Sequence, residues 1–196
     1  GEDQSGEIQE IGFTLYNEML ERAVQAMREG RMPNVDQPIN AGTEVELGVP
    51  ALLPEDYVPD VHTRLILYKR IAAAASEDAL RDIQIELIDR FGLLPEPAKH
   101  LFEATELRLK AQALGIRKIE TGPGGGRIRF NPDAKIDPAR LVKLVQSQPN
   151  VYRFDGAEKL RITRELPDTP ARIAALHQLM DTLRLEPLAS NPTENA

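Results

Sequence analysis

Glu86 and Asp89 stand three residues apart in a run that reads as helix, so their carboxylates share one side of it. Paired carboxylates can act as acid and base on a glycosidic bond, but that chemistry needs a sugar-lined cleft. The chain has no Trp and only 5% aromatic residues. The three histidines, His62, His100 and His177, lie in distant segments, and none has a partner at helical spacing for a metal. The run Gly122-Pro123-Gly124-Gly125-Gly126 lacks the Lys-Ser/Thr ending of a phosphate loop and reads as a hairpin turn. No serine lies in a Gly-x-Ser-x-Gly elbow. No catalytic residue and no metal ligand is assigned. Arg127, Arg129, Arg153, Arg161 and Arg164 fall in or beside strand-like runs, with Tyr152 and Phe154 among them. That combination would suit a single-stranded nucleic-acid platform, although a solvated sheet face is the simpler reading.

The elements that position these groups follow from periodicity. Ser76 caps a helix over 77–91, with Glu77 and Asp78 in its first turn. Leu80, Ile83, Leu87 and Phe91 form its apolar stripe, leaving Asp82, Glu86 and Asp89 on another side and Arg90 one turn after Glu86. Gly92 is placed to take a left-handed stop, with Pro95 beyond it. By pattern alone, an acidic helix side is a solvated face.

Around this helix the fold class is α+β: a helical block followed by two β-hairpin/helix units, with a long N-terminal helix. That first helix is expected over 7–29, on a broad stripe from Ile8 to Met27. Residues 31–60 carry five prolines and read as a surface connector, with an edge strand or arm at 43–47. Helices are expected over 61–75, 77–91 and 97–114. Strand pairs then follow at 116–120 with 127–130, and at 151–154 with 159–163. Each pair precedes a helix opened by a proline, at Asp137-Pro138 and Thr169-Pro170. The expected divisions are 1–30, 31–60, a main domain over 61–186, and a disordered tail over 187–196.

Bulk composition sets outer bounds. The 196 residues are 41% hydrophobic and 28% charged, enough for one good core. Net charge is −7, so the chain as a whole does not favour nucleic acid. Residues 115–165 nevertheless hold 11 Lys and Arg against 6 Asp and Glu, while the remainder holds 13 against 25. The absence of cysteine excludes disulfides and thiol chemistry and is compatible with a cytoplasmic location. No apolar run approaches membrane-spanning length. The opening Gly1 suggests a fragment of a longer protein.

The run Glu86-Leu87-Ile88-Asp89-Arg90-Phe91-Gly92-Leu93-Leu94-Pro95 resembles the C-terminal domain of the bacterial transcription-repair coupling factors, the Mfd family. Leu52-Leu53-Pro54-Glu55-Asp56-Tyr57-Val58-Pro59-Asp60, Arg64-Leu65, Tyr68-Lys69-Arg70-Ile71 and Leu114-Gly115-Ile116-Arg117-Lys118 extend the likeness over roughly residues 7 to 185. The opening residues resemble the end of that family's translocation motif, with Gln4 its last polar remnant. The resemblance implies a parent ATP-dependent DNA translocase, using ATP and Mg, that releases stalled RNA polymerase and recruits the repair protein UvrA. It implies no enzyme activity and no cofactor in this fragment, and DNA contact through the parent motor alone. The C-terminal domain is expected to dock on the UvrB-homology module of the same chain, masking UvrA binding and restraining the motor. Carried over by position, its partner-binding residues are Glu86, Asp89 and Arg90. The alternative is a nucleic-acid-binding module using the basic strands of 115–165.

Overall fold

The computed structural model describes residues 42–185. The helix expected over 7–29, Gln4 and the tail over 187–196 lie outside the described residues.

Among the described residues, five helices and one five-stranded sheet make up the fold. In chain order they are β1 Glu44–Glu46, α1 Val61–Ala73, α2 Glu77–Phe91, α3 Glu96–Ala113, β2 Ile116–Gly122, β3 Gly125–Phe130, α4 Pro138–Ser147, β4 Tyr152–Phe154, β5 Lys159–Ile162 and α5 Thr169–Leu183. Side-chain caps start four of the helices. The N–H groups of Thr63, Ala79, Ala139 and Ala171 donate to Asp60, Ser76, Asp137 and Asp168 respectively. Each cap satisfies a donor that the first helical turn cannot pair internally.

Two apolar cores share one helix. Ala98, Leu101 and Phe102, early in α3, pack with Leu67 and Ile71 of α1 and with Leu80, Ile83 and Leu87 of α2. Later in α3, Ala104, Leu107 and Ala111 pack with the sheet and with Leu176, Leu179 and Leu183 of α5. An 18-residue helix is about 27 Å long, which is how α3 serves both cores.

The two expected hairpins join into a single sheet of order β1-β2-β3-β5-β4. β2 and β3 are antiparallel, turning at Pro123-Gly124 between the paired Gly122 and Gly125. β5 lies against β3 and carries β4 on its far side. β1 is an edge strand that runs parallel to β2, with Val45 opposite Ile119. The stretch before α1 also feeds both cores: Val45 and Leu47 enter one, Leu53 and Val58 the other.

Gly92 closes α2 by donating its N–H to the Ile88 carbonyl at 2.9 Å. Its φ of 91° is positive, but ψ is −171°, so it takes an extended mirror conformation and not the left-handed helical one. Only glycine occupies that region without strain.

Candidate docking faces

Burial of Leu80, Ile83 and Leu87 fixes the roll of α2 and turns its acidic side outward. Asp82, Glu86 and Asp89 therefore sit away from the core. Asp82 and Asp89 are exposed and make no ion pair among the described residues. Glu86 differs: its carboxylate closes on the Arg70 guanidinium of α1, with both side chains roughly half-exposed. Exposed Ile85, Ile88 and Leu93 adjoin these acids, and Leu93 is 85% exposed. The result is a mixed acidic and apolar surface.

The end of this helix is braced. The Arg90 guanidinium stands 4.9 Å from the centre of the Phe91 ring, within the range of a cation–π contact. Phe91 meets Tyr57 edge to face at 5.8 Å. The Tyr57 hydroxyl lies 2.7 Å from the Gly92 carbonyl and 3.2 Å from that of Leu87. Its one O–H thus donates mainly to the Gly92 carbonyl, which lies past the helix end and has no intrahelical partner. Burial raises the Tyr57 pKa, so the hydroxyl keeps its proton and its donor role. The sequence pointed to Glu86, Asp89 and Arg90. It did not point to Arg70 or Tyr57, whose contacts span 16 and 35 residues respectively.

The second candidate is the outer face of the sheet. Inward residues Ile119, Ile128, Leu160 and Ile162 are buried, so their neighbours along each strand point away from the helices. Register then aligns the outward charges across strands. Arg127 lies opposite Arg161, which lies opposite Arg153; Arg129 lies opposite Lys159. Toward the β1 edge the sign reverses. Lys118 there holds Glu44, Glu46 and Glu120 at 3.8, 3.8 and 3.0 Å. Burial, then the neighbouring Glu44 and Glu120 against the opposing pull of Lys118, leaves Glu46 with a raised pKa. Tyr152 and Phe154 do not share the arginine face. They sit in register with Ile162 and Leu160, on the opposite face, where Tyr152 is buried in the core and Phe154 is 43% exposed. A base-stacking platform of arginines and aromatics is therefore not assembled.

The glycine-rich hairpin borders a groove of about 510 Å³ whose walls include Gly124, Gly126, Arg127, Arg161 and Thr163. A strand follows this turn, not a helix, so no helix N-terminus faces it. Among the described residues, no group of three or more His, Asp or Glu side chains is arranged to hold a metal. No helix among them is long and apolar enough to cross a membrane.

Comparison with known proteins follows the same lines. A family model, the TRCF domain, matches residues 47–141. The chain is 48% identical over 189 residues to the transcription-repair-coupling factor of Escherichia coli, a match covering 96% of this chain and 16% of that protein. It is 45% identical over 183 residues to the Haemophilus influenzae transcription-repair-coupling factor, covering 93% and 16%. A 40% identity to the Myxococcus xanthus protein extends over 82% of this chain. The chain thus spans between about one-eighth and one-sixth of the length of these relatives. A crystal structure of the C-terminal domain of transcription-repair coupling factor superposes with a TM-score of 0.61, covering 72% of this chain and 91% of that one. At 19% identity, that likeness speaks to the fold. With the matches spanning both cores and the sheet, the chain belongs to the transcription-repair-coupling factor family and has the fold of its C-terminal domain.

Proposed function

We propose that this chain is an autoinhibitory domain that docks through α2 onto the UvrB-homology module of its parent protein. Docking masks the surface that binds UvrA and restrains an ATP-driven DNA translocase. The fragment itself binds no cofactor and catalyses nothing; ATP and Mg belong to the parent motor, which also carries the contacts to DNA and RNA polymerase.

The observation that supports this reading is the outward, unpaired Asp89 beside exposed Ile85, Ile88 and Leu93. Carboxylates ringed by apolar side chains suit an interface in which ion pairs lose water on closure. Arginines on the partner match carboxylates with directional, often bidentate bonds. An exposed pair of this kind contributes about 0–1 kcal/mol, and truncating one member of a desolvated pair costs about 2–5 kcal/mol. A latch built from two carboxylates and a few apolar contacts is therefore strong enough to close and weak enough to release. Release requires a competitor that binds the masked surface better in the open state.

Charge reversal of both Glu86 and Asp89 in the full-length parent tests the proposal. The expected result is tighter UvrA binding and a higher resting ATPase rate. Unchanged UvrA affinity and ATPase rate would remove these residues from the latch.

A further inference from the structure

The α2 face leaves the outer face of the sheet without a role. We propose that the arginine rows of β3, β5 and β4 form a docking surface for an acidic segment of a partner protein.

Three observations carry it. First, Arg127, Arg161 and Arg153 are direct cross-strand neighbours on one face. Like charges placed opposite each other destabilise a sheet, and an external anion relieves that repulsion. Second, these cations are under-used within the chain. Arg161 has one carboxylate nearby, Asp155 at 3.5 Å, and its Nε is enclosed without an acceptor. Arg127, Arg129, Arg153 and Lys159 make no ion pair among the described residues. Third, the spacing suits carboxylates. Adjacent strands lie about 4.8 Å apart and outward residues along a strand about 6.8 Å. Acidic side chains one helical turn apart are separated by about 5–6 Å.

The same face argues against nucleic acid as the occupant. Tyr152 is buried and Phe154, though 43% exposed, lies on the opposite face from the arginines, so among the described residues this face offers bases no ring to stack on. Glu120 stands directly opposite Arg127, and Glu46 opposite Glu120, so a continuous polyanion crossing the strands would meet carboxylates. A short acidic segment ends before that edge. The guanidinium fork binds a carboxylate through two parallel bonds, which a lysine row would not provide.

The test uses the 196-residue chain and two labelled probes of about twelve units, a glutamate peptide and an oligothymidylate. Binding is followed by fluorescence anisotropy at about 50 mM salt, where screening is modest. The glutamate peptide should bind, and the oligothymidylate should bind at least about tenfold more weakly. Arg161→Gln should weaken peptide binding by about fivefold or more while raising the thermal midpoint, because it removes a repulsive row centre. This opposite movement separates a lost surface from a lost fold. Arg127→Gln should weaken the peptide in the same direction, and Lys99→Gln on α3 should leave it unchanged. Oligothymidylate binding as tight as the peptide would make the face a nucleic-acid surface and overturn the proposal. So would an absence of peptide binding, or peptide binding indifferent to Arg161→Gln and Arg127→Gln.

Discussion

Arg70 of α1 holds Glu86 of α2, so one carboxylate of the candidate docking face is already paired within the domain. Asp89, one turn further along, makes no ion pair among the described residues. The two acids are therefore unequal. Both members of the Arg70–Glu86 pair are roughly half-exposed, so its net contribution to stability is about 0–1 kcal/mol. Arg70→Ala should lower the urea-derived stability of the chain by no more than about 1 kcal/mol. A loss above about 2 kcal/mol would recast the pair as a structural tie between the helices.

The inequality has a second outcome. A charge already shared with Arg70 has less to offer an incoming arginine than a free one. In the full-length parent, Asp89→Lys alone should therefore increase UvrA binding more than Glu86→Lys alone. Equal effects from the two single variants would show that Arg70 releases Glu86 on docking.

Gly92 supplies a prediction on backbone geometry. Nothing lies within 4 Å of a Cβ built there, so a clash is not the issue. The φ of 91° with ψ of −171° is the issue. Gly92→Ala should cost about 1–3 kcal/mol of stability from backbone strain alone. It should also disturb the carbonyl that Tyr57 caps. Urea unfolding measures the first effect. Near-ultraviolet circular dichroism of the Tyr57–Phe91 pair reports the second.

Arg172 is 4% exposed and bonds to backbone, not to a carboxylate. Its Nε donates to the Leu166 carbonyl at 3.0 Å and its Nη1 to the Leu47 carbonyl at 2.9 Å. It thereby ties the end of β1 to α5 across 125 residues. Arg172→Met keeps much of the volume and leaves both carbonyls without this donor. Each unsatisfied buried carbonyl costs about 1–3 kcal/mol. The expected loss is about 2–6 kcal/mol in chemical unfolding, and an unchanged midpoint would mean that water replaces the guanidinium.

His177 gives a pH dependence. Burial, then the Lys110 ammonium 3.0 Å from its Nδ1, depresses its pKa below the ordinary 6.5. The unfolded chain therefore takes up a proton before the folded chain does. Above about pH 6.5 both states are neutral here and the full stability is present. As pH falls through the unfolded value toward the lower folded one, that contribution is lost. His177→Gln should flatten this part of the profile. Thermal midpoints at about pH 7.5 and 5.5 compare the two proteins, and parallel profiles would dismiss His177 as the cause.

Much of the helical architecture is legible along the chain because helix signals are local. The stripe of Leu80, Ile83, Leu87 and Phe91 and the cap at Ser76 lie within a few turns of each other, and α2 begins and ends at the expected residues. The strands are found nearly where alternation places them, each hairpin being closed by a short turn. The period of two also separates Arg153 from Tyr152 and Phe154. It does not say which side meets the core, and register with Leu160 and Ile162 decides that. The acidic side of α2 was readable from spacing, whereas its likeness to a family, not its periodicity, singled out Glu86, Asp89 and Arg90.

The sequence by itself determined where most elements begin and end, which side of each is apolar, and that Glu86 and Asp89 share a helix side. Those properties depend on backbone conformation within a turn or a strand. Tertiary structure alone decided that β1 pairs with β2 some 70 residues later, that β5 enters between β3 and β4, that Arg70 occupies Glu86, and that three arginines line up across strands. These relationships join segments whose encounter is set by burying the two apolar cores together. Many pairings satisfy the same local patterns, and the packing of the two cores on α3 selects among them.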